Sequence, residues 1–405
     1  MRYTAPNMTV EPLSDLVSRQ YERWVYPEPI LDLPSWLEDN WQWFDPCHAH
    51  RLLWPDRAYK PDMDILIAGC GTNQAAVFAY TNPRANVLAI DVSQTSLDHH
   101  RFLKNKYALT NLDLCLLPIE DALVLNRDFD LIVSTGVLHH LEEPQKGMEA
   151  LGRCLKPDGV AGIMLYATYG RVGVEMLQSV FRDLGFQQNE PSVEMIKEAL
   201  STIPSDHPVQ GYMELAPDLG FDAGLVDTFL HGRDRSYTID ECIELVTSAD
   251  LAFQDLFLRA PYYPPAKSTS TFHAFVETLP EQKLWSIMER INCINSCHFF
   301  MACRTDRPRE SYAIDFKTAK ANNYIPSLRQ GCRLEGDQLH RWDFGMMLDP
   351  FEQALVQQVD GRQTIRQIVT KAHQSCPAPQ QEEDAAEALF QTLWRLDILA
   401  MGFGQ

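Results

Sequence analysis

The sequence lacks an apolar run long enough to cross a membrane, and it lacks an excess of positive charge. Its 405 residues include 35 Lys and Arg against 55 Asp and Glu, a formal net charge of −20. This acidic charge argues against a protein that binds along nucleic-acid phosphates, because such proteins normally present a basic surface. The first residues, MRYTAPNMTVEPLSD, show no basic-then-apolar leader. We therefore expect a cytoplasmic protein without a nucleic-acid or membrane partner.

The sequence also lacks a disulfide framework and a zinc-binding pattern. Its ten cysteines are scattered, and with no export signal we interpret them as reduced thiols. Cys47, His48 and His50 place three donor groups close together, but a structural zinc site needs four well-spaced ligands. No fourth ligand is evident near them. The sequence therefore predicts no metal site.

The stretch from Asp64 to Asp91, DILIAGCGTNQAAVFAYTNPRANVLAID, organises the rest of the chain. It predicts an apolar strand, a Gly-Cys-Gly turn, a helix and a second buried strand that ends in Asp91. A glycine turn between strand and helix lets a ligand approach the backbone closely. An acid after the second strand can accept hydrogen bonds from both hydroxyls of a ribose. The pattern predicts a cofactor that contains a nucleoside.

The turn departs from the dinucleotide fingerprint G-x-G-x-x-G, because its third glycine is missing. It resembles the first motif of class I S-adenosylmethionine-dependent methyltransferases, usually GCGTG, with Asn73 in place of the last glycine. Asparagine tolerates left-handed backbone angles, which explains the exchange. Leu112 to Leu117 followed by Pro-Ile-Glu-Asp, then FDLIVSTGVLHHLEEP and LKPDGVAGIMLYA, resemble later motifs in order and spacing. The resemblance covers about residues 61–305 and implies S-adenosylmethionine as the cofactor of a methyltransferase.

Between residues 62 and 166 apolar strands alternate with amphipathic helices, which indicates a parallel sheet with helices on both faces. Strands are predicted near 64–68, 86–90, 112–116, 130–134 and 160–166, and helices near 74–80, 94–108 and 144–155. Two further strands are predicted near 251–258 and 299–304. Together they make the seven-stranded, Rossmann-like α/β sheet that the resemblance implies, with the last strand antiparallel.

Three segments are predicted: an aromatic N-terminal cap or lid (1–60), a methyltransferase domain (61–307) and a small α+β domain (311–405). The aromatic segment either packs on the main domain or covers the cofactor. Residues 187–235, rich in Pro, Asp and Gly, are predicted to be an insertion that forms the acceptor site. The last segment loosely resembles winged-helix domains of the PqqD type. Its apolar spacing predicts a separate core, and we expect it to mediate dimerisation or protein contact.

The predicted cofactor residues follow strand ends, because ligands bind beyond the carboxyl ends of the strands in such sheets. They are Gly69, Cys70, Gly71, Gln74, Asp91, Val92, Glu120, Asp121, Ser134 and Gly136. The resemblance implies that Glu120 or Asp121 accepts the adenine amino hydrogen. A solvated loop acid is the alternative interpretation for whichever of the two points away.

Methyl transfer is an in-line displacement that depends on proximity and on removal of a proton from the acceptor. His139 and His140, after the fourth strand, are the catalytic candidates because histidine accepts protons near neutral pH. The alternative is that both histidines only pack and form hydrogen bonds. Tyr166, Tyr169 and Arg171 follow the fifth strand and are candidates for binding the acceptor.

Three functions remain open at this point. The first is methyl transfer to a nitrogen or oxygen of a protein or peptide side chain, possibly a phycobiliprotein asparagine. The appended domain and the large insertion suggest it. The second is methylation of a small-molecule metabolite, suggested by Leu-His-His-Leu and the aromatic N-terminal segment. The third is a non-catalytic protein that binds the cofactor. Methylation of DNA bases is disfavoured, because Ser134 to Val137 replace the Asp/Asn-Pro-Pro-Tyr loop.

Overall fold

The computed structural model describes residues 15–318, 320–375 and 382–404. They form two compact units. The first unit contains the described residues up to 42 together with 61–256 and 285–307. The second contains 43–60, 257–284 and the described residues from 308 onward. The aromatic N-terminal segment is thus divided between the units at 42/43, whereas the sequence predicted one boundary at 60/61.

A seven-stranded sheet forms the centre of the first unit. Its strands are β1 (Asp64–Ala68), β2 (Asn86–Asp91), β3 (Leu112–Leu116), β4 (Phe129–Thr135), β5 (Leu155–Tyr166), β6 (Leu251–Leu256) and β7 (Cys297–Arg304). Their order is β3-β2-β1-β4-β5-β7-β6, with β7 antiparallel to both of its neighbours. Residues 65–68 of the central strand β1 are fully buried, as expected when helices cover both faces. The predicted seven-stranded α/β sheet is confirmed.

In chain order the helices are α1 (Leu16–Arg23), α2 (Leu33–Asp39), α3 (Pro46–Leu53), α4 (Gln74–Thr81), α5 (Gln94–Lys106), α6 (Pro144–Arg153), α7 (Val172–Asp183), α8 (Glu190–Thr202), α9 (Val209–Leu215), α10 (Asp222–Phe229), α11 (Ile239–Ser248), α12 (Thr271–Val276), α13 (Glu281–Asn292), α14 (Pro350–Val356), α15 (Ile365–Ser375) and α16 (Glu382–Arg395). Some of the helices, namely α1, α2, α3, α5, α8, α11 and α14, begin at a side chain that accepts hydrogen bonds from the backbone of the first turn. Asp15 caps α1 by accepting from the N–H of Val17 at 2.9 Å. No helix among the described residues is long and apolar enough to span a bilayer.

The predicted acceptor-site insertion, residues 187–235, is helical. Asn189 caps α8 by accepting from the N–H of Ser192 at 2.9 Å, and Pro191 occupies the first turn. Helices α8 to α10 pack against α7 and against Trp24, which follows α1. The buried residues of this cluster are Trp24, Val174, Leu177, Phe181, Val193, Ile196, Val209, Leu225, Val226 and Phe229. We call α1 and α7 to α10 the helical cap.

The second unit is built on short strands and three helices near its C-terminus. The strands are β8 (Tyr324–Leu328), β9 (Arg333–Glu335), β10 (Gln338–His340), β11 (Gly345–Met347) and β12 (Leu399–Phe403). Strands β9 to β11 form one antiparallel sheet, and β8 pairs with β12. Phe351, Leu355, Ile365 and Ile368 belong to a core built from residues of this segment, as their spacing predicted. The resemblance to winged-helix domains stays a prediction.

Candidate active site

A glycine turn joins β1 to α4 at the carboxyl edge of the sheet. At Gly69, where φ is +81°, a Cβ atom would lie 2.4 Å from Cγ2 of Val137. At Gly71, where φ is +50°, a Cβ atom would lie 2.9 Å from Cδ of Pro27. The hydroxyl of Thr72 donates to the carbonyl of Pro27 at 2.6 Å. Glycine is therefore required at both positions, because the turn fits closely between its neighbours.

Asp91, at the end of β2, faces this turn. Its two carboxylate oxygens accept from the N–H groups of Gly71 at 2.9 Å and Ser93 at 2.8 Å. Burial raises the pKa of Asp91 to about 6, although these bonds act to lower it. Hydrogen bonds from the Cys70 thiol and from the backbone of Val92 also act to lower this pKa, and the ionised carboxylate stays an acceptor for the hydroxyls of a ribose. The group is suited to two neighbouring hydroxyls.

The last residues of β4 and the residue after it complete this edge. Ser134 is fully buried, and its hydroxyl has no hydrogen-bond partner among the described residues. Gly136 has a φ of +74°, and Gln74 donates to the hydroxyl of Thr135 at 3.0 Å. Asn73 adopts a φ of −131° at the start of α4. The expectation that Asn73 exploits left-handed angles is therefore wrong, since the tight position of the turn is Gly71.

Three other predicted positions lie at the same edge. Glu120 and Asp121 stand in the first turn of a 3-10 helix, Ile119–Leu125, after β3. Burial raises the pKa of Glu120. The carbonyl of Val92 accepts from the hydroxyl of Ser18 at 2.8 Å. Helix α1 therefore packs on the loop that follows Asp91.

A second group of polar side chains lies beside this edge, between the sheet and the helical cap. We call it the acceptor cluster: Tyr21, His139, His140, Tyr166, Arg171, Asp227, His231 and Asp234. His139 and His140 come from a 3-10 turn after β4, Leu138–His140, and Tyr166 ends β5. The others come from α1, from the turn before α7, from α10 and from the segment after α10. Four distant parts of the chain thus meet in one place.

Asp227 is the central carboxylate of the cluster and is 2% exposed. It accepts from the hydroxyl of Tyr21 at 2.8 Å and from that of Tyr166 at 3.2 Å. Burial raises the pKa of Asp227. Burial also raises the pKa values of both phenols, which therefore stay protonated donors. The cluster presents a dehydrated carboxylate between two aromatic rings.

The histidines stack on this arrangement. The ring of His140 lies 3.7 Å from that of His231, and the ring of His139 lies 3.9 Å from that of Tyr166, centroid to centroid. Burial holds the pKa values of His139 and His231 well below the usual value. Both rings are neutral near pH 7. The cluster therefore holds uncharged imidazoles beside a carboxylate.

Arg171 is the cation of the cluster and is 1% exposed. It donates to Asp234 at 3.1 Å and to the hydroxyl of Tyr212 at 3.0 Å, and it lies 3.6 Å from the ring centre of Tyr166. Burial acts to lower the pKa of Arg171, but Tyr166 and Asp234 raise it. The guanidinium stays charged and is held by partners within the protein. Tyr169, on the same turn, is partly exposed and does not join the described cluster.

Two groups in the described part of the chain have the spacing of metal ligands: His139, His140 and Asp234, and His140, Asp227 and His231. In each group one imidazole accepts a backbone N–H on Nδ1. Tyr166 donates to His139 at 3.3 Å, and Arg233 donates to His231 at 3.0 Å. A neutral imidazole that accepts on Nδ1 carries its hydrogen on Nε2. Its Nε2 then has no lone pair for a metal, so we interpret the cluster as proton-handling.

Comparison with known proteins agrees with this geometry. A family model described as a methyltransferase domain matches residues 66–161. This range contains the glycine turn and the carboxyl ends of β1 to β4. The chain carries a methyltransferase domain. PKMT2 from Rickettsia typhi, solved in complex with AdoHcy, has a TM-score of 0.64 at 16% identity, covering 89% of this chain and 76% of that one. A second structure of PKMT2 gives the same values. An uncharacterized protein of Synechococcus sp. is 26% identical over 291 residues, 69% of each chain.

The methyltransferase is an enzyme that uses S-adenosylmethionine. The residues at the carboxyl edge fit this cofactor. Asp91 supplies a carboxylate acceptor at the end of β2, beside the glycine turn. The buried Ser134 hydroxyl lacks a partner among the described residues, and the turn from Gly69 to Gly71 exposes backbone rather than side chains. Together they can hold the sugar and the amino-acid portion of the cofactor.

The structure brings the predicted residues of the methyltransferase to two neighbouring places. The ten predicted cofactor residues follow β1 to β4, while His139, His140, Tyr166 and Arg171 enter the acceptor cluster. Sequence reasoning assigned no role to Tyr21, Asp227, His231 or Asp234. The only signal was the polar run His231-Gly232-Arg233-Asp234-Arg235, which directly follows a helix. The individual roles of these residues are proposals.

Proposed function

We propose that this methyltransferase methylates a side-chain nitrogen of a protein, namely the amine of a lysine. The observation that carries the proposal is the buried carboxylate of Asp227 between the hydroxyls of Tyr21 and Tyr166. A carboxylate that has been removed from water gains most from a cationic partner. Aromatic rings beside it add a cation–π attraction for an ammonium group. A lysine side chain offers that charge at the end of a slender stem.

Arg171, the cation of the cluster, does not occupy the position beside Asp227 that a lysine ammonium would take. Arg171 directs its guanidinium to Asp234 and Tyr212, whereas Asp227 accepts its bonds from neutral phenols. An arriving ammonium can therefore pair with Asp227 without displacing an existing ion pair. A neutral acceptor such as an asparagine amide gains less from the carboxylate. The narrower hypothesis of a phycobiliprotein asparagine is for this reason the weaker version of the proposal.

S-adenosylmethionine supplies, when bound, a methyl group activated by its sulfonium. The residues of the protein then have two tasks, which are to align the amine and to accept its proton. Asp227 and the two phenols hold the nitrogen in place, and alignment of this kind accounts for much of the rate. Neutral imidazoles stand within the same cluster and can take the proton.

The comparisons support a protein acceptor. The fold shared with PKMT2 covers 89% of this chain, so it must extend over much of the second unit as well as the sheet. That likeness supports a lysine of a protein over a metabolite. The proposal includes self-association or protein contact through residues 311–405. Light scattering of the full chain would contradict the self-association part if it gave only the monomer mass.

The test is transfer of radiolabel from S-adenosylmethionine into cell lysate, followed by separation of proteins from small molecules. We expect label in the protein fraction, and after hydrolysis in methyl-lysine. Label in methyl-asparagine would favour the amide version, and label confined to small molecules would favour a metabolite acceptor. The last two outcomes overturn the lysine proposal.

The matched variants are Asp227→Asn and Asp222→Asn, because both residues lie on α10. Asp227→Asn should lower transfer by roughly 100-fold or more, since it removes the partner of a buried charge. Asp222 is exposed and pairs with Lys197, so its variant should behave like the wild type. Both should bind S-adenosylhomocysteine normally by calorimetry. Normal transfer by Asp227→Asn would remove the carboxylate from the proposal.

A further inference from the structure

The backbone of residue 233 and the carboxylate of Asp234 surround His140. We infer that His140, and not His139, receives the acceptor's proton on its Nε2 atom, and that Arg233 and Asp234 position it for this task. The inference rests on the proposed function. It assigns different roles to His139 and His140, which the sequence alone could not distinguish.

The peptide backbone of Arg233 fixes the hydrogen on two imidazoles at once. Its carbonyl lies 2.8 Å from Nδ1 of His140, so that nitrogen must carry the hydrogen and donate it. Its N–H donates to Nδ1 of His231 at 3.0 Å, so His231 carries its hydrogen on Nε2. One residue thus sets opposite tautomers on two stacked rings. Only His140 is left with a lone pair on Nε2.

No described residue donates a hydrogen bond to that lone pair. Nε2 of His140 is buried and has no hydrogen-bond partner among the described residues. The His140 residue is only 3% exposed, so bulk water does not reach this nitrogen as a hydrogen-bond donor. An unpartnered acceptor in a buried cluster is costly unless a ligand donates to it. The acceptor amine is the donor that the proposed function provides.

His139 is excluded by the same reasoning. Its Nδ1 accepts from the N–H of Tyr166 at 3.3 Å, which leaves the hydrogen on Nε2. The Nε2 atom of this ring, which is also buried and without a hydrogen-bond partner among the described residues, is therefore a donor. A donor cannot take a proton from an ammonium group. His139 instead stacks on Tyr166 and supports the wall of the cluster.

Asp234 is arranged to stabilise a charged His140. Its Oδ2 atom accepts from Arg171 at 3.1 Å and from Gln178 at 2.9 Å. Its Oδ1 atom has no hydrogen-bond partner among the described residues and lies 3.9 Å from Nδ1 of His140. One oxygen fixes the carboxylate while the other faces the imidazole. A positive charge on that imidazole therefore meets a negative charge at once.

The charged and titratable groups that face His140 come from several elements. They are His139 on its own turn, Tyr166 from β5, Asp227 from α10, and His231 and Asp234 from the following segment, with Arg171 behind Asp234. Two of these groups are carboxylates and one is a cation. The cation, Arg171, is itself paired with Asp234.

The proton balance follows from these roles. The lysine enters as an ammonium, and its N–H bond breaks as the proton moves to Nε2 of His140. The electron pair left on nitrogen forms the bond to the methyl carbon while the methyl–sulfur bond breaks, with its electrons remaining on sulfur. Nδ1–H of His140 stays bonded to the Arg233 carbonyl. The proton leaves His140 after product release.

The first test reads the tautomers directly and needs no acceptor. The full-length protein labelled with nitrogen-15 in its imidazoles should show His140 protonated on Nδ1, and His139 and His231 protonated on Nε2. Single His→Gln variants at these positions assign the signals. A hydrogen on Nε2 of His140, or a lone pair on Nε2 of His139, would overturn the inference.

The second test is the pH dependence of transfer in variants. At saturating S-adenosylmethionine, which removes the pH dependence of cofactor binding, His140→Gln should lose roughly 100- to 10,000-fold in turnover, and the acid limb that depends on His140 should vanish, whereas His139→Gln should keep that limb in place. Asp234→Asn should shift the limb to lower pH. A limb that stays fixed in Asp234→Asn, with normal folding, overturns the role of Asp234. If the wild type labels no protein, the proposed function fails while the tautomer result still stands on its own.

Discussion

Asp91 combines burial with a pKa raised to about 6. Hydroxyl donors stabilise the charged form of such an acid, so a cofactor held by Asp91, as we propose, should bind the carboxylate and release a proton where Asp91 is protonated. We expect the affinity for S-adenosylhomocysteine to be constant above about pH 7. Below about pH 6 it should fall, by up to about tenfold for each pH unit. Calorimetry between pH 5 and 8, in buffers of different ionisation enthalpy, measures both the affinity and the released proton.

Asp91→Asn tests the same residue without changing its size. The variant should bind about 10- to 100-fold more weakly, because it loses a charge-assisted acceptor for two hydroxyls. Its affinity should no longer depend on pH in this range. Asp98→Asn, on the exposed side of α5, is the matched control and should keep the wild-type profile. Equal affinity in Asp91→Asn and wild type would show that the ribose is held elsewhere.

Glu289 is a buried acid outside the active site, and we expect its effect on the free energy of unfolding to depend on pH. It is 4% exposed and accepts from the N–H of Ile239 at 3.0 Å, and burial raises its pKa from 4.5 to about 7. The folded state holds this proton more tightly than the unfolded chain does. Stability is therefore lost as the pH rises from about 4.5 to 7. Glu289→Gln, which keeps the acceptor oxygen, should raise the free energy of unfolding at pH 8 by about 2 kcal/mol.

The measurement for Glu289 is chemical denaturation at pH 5 and pH 8. The gain of the variant over the wild type should be larger at pH 8 than at pH 5. An equal gain at both values would mean that packing, and not ionisation, separates the two proteins.

At the scale of elements, the sheet was predictable because its strands are apolar on both faces. Runs such as residues 64–68 and 130–134 leave little choice between buried strand and loop. The helices of the insertion were not predicted. Their Pro, Asn and Asp residues resemble loop composition but stand at helix starts, as Asn189 and Pro191 do in α8. Their apolar residues pack on α7 and Trp24, a partner distant in sequence.

Helix α1 connects the loop after Asp91 to the acceptor cluster. Glu22 accepts from the hydroxyls of Ser93 at 3.0 Å and Thr95 at 2.7 Å. Burial acts to raise the pKa of Glu22, but these bonds lower it overall. Tyr21, one residue earlier, donates to Asp227. Undocking α1 should therefore loosen both sites together.

Glu22→Gln tests this docking. It weakens the bonds to Ser93 and Thr95 by removing the charge, so we expect S-adenosylhomocysteine to dissociate several-fold faster in stopped-flow measurements. Arg23→Gln on the same helix removes an exposed pair with Glu190 and a contact with the ring of Trp24, 5.4 Å from the guanidinium carbon, and should leave the rate unchanged. Equal rates in both variants would show that α1 does not control release.

At the scale of the whole molecule, the cofactor edge could be predicted and the acceptor cluster could not. Parallel strands bring their carboxyl ends to one edge, so Gly69, Asp91 and Ser134 had to lie near one another. Asp227 and Tyr21 come from helices whose positions depend on long-range packing. Tyr21 and Asp227 form a hydrogen bond although 206 residues separate them in the sequence. No local sequence pattern indicates such a pair. The histidine pair was found, but the tautomer of His140 depends on the backbone at Arg233 and that of His139 on the backbone at Tyr166.

The second unit is assembled from three separated segments, and this decides what a truncated protein will do. Asp397 accepts from the N–H groups of Arg259 and Ala260 at 2.8 and 3.0 Å and from the guanidinium of Arg329 at 2.7 Å. Near the end of the chain, the N–H of residue 403 donates to the carbonyl of residue 55 at 2.8 Å. Segments 43–60 and 257–284 therefore depend on residues near the C-terminus.

A chain that ends at Asp306 should for this reason fold poorly in its second unit. It would lack Asp397, which pairs with the buried Arg259, and it would lack the strand whose Phe403 N–H bonds to Pro55. Loss of one partner of a buried ion pair alone costs about 3–5 kcal/mol. We expect this truncated protein to aggregate or to melt well below the full chain. Residues 308–405 have a core of their own, so co-expressing them as a separate chain should restore the melting temperature. A soluble truncated protein that unfolds like the full chain, with no effect of the added segment, would show that residues 43–60 and 257–284 hold their structure without it.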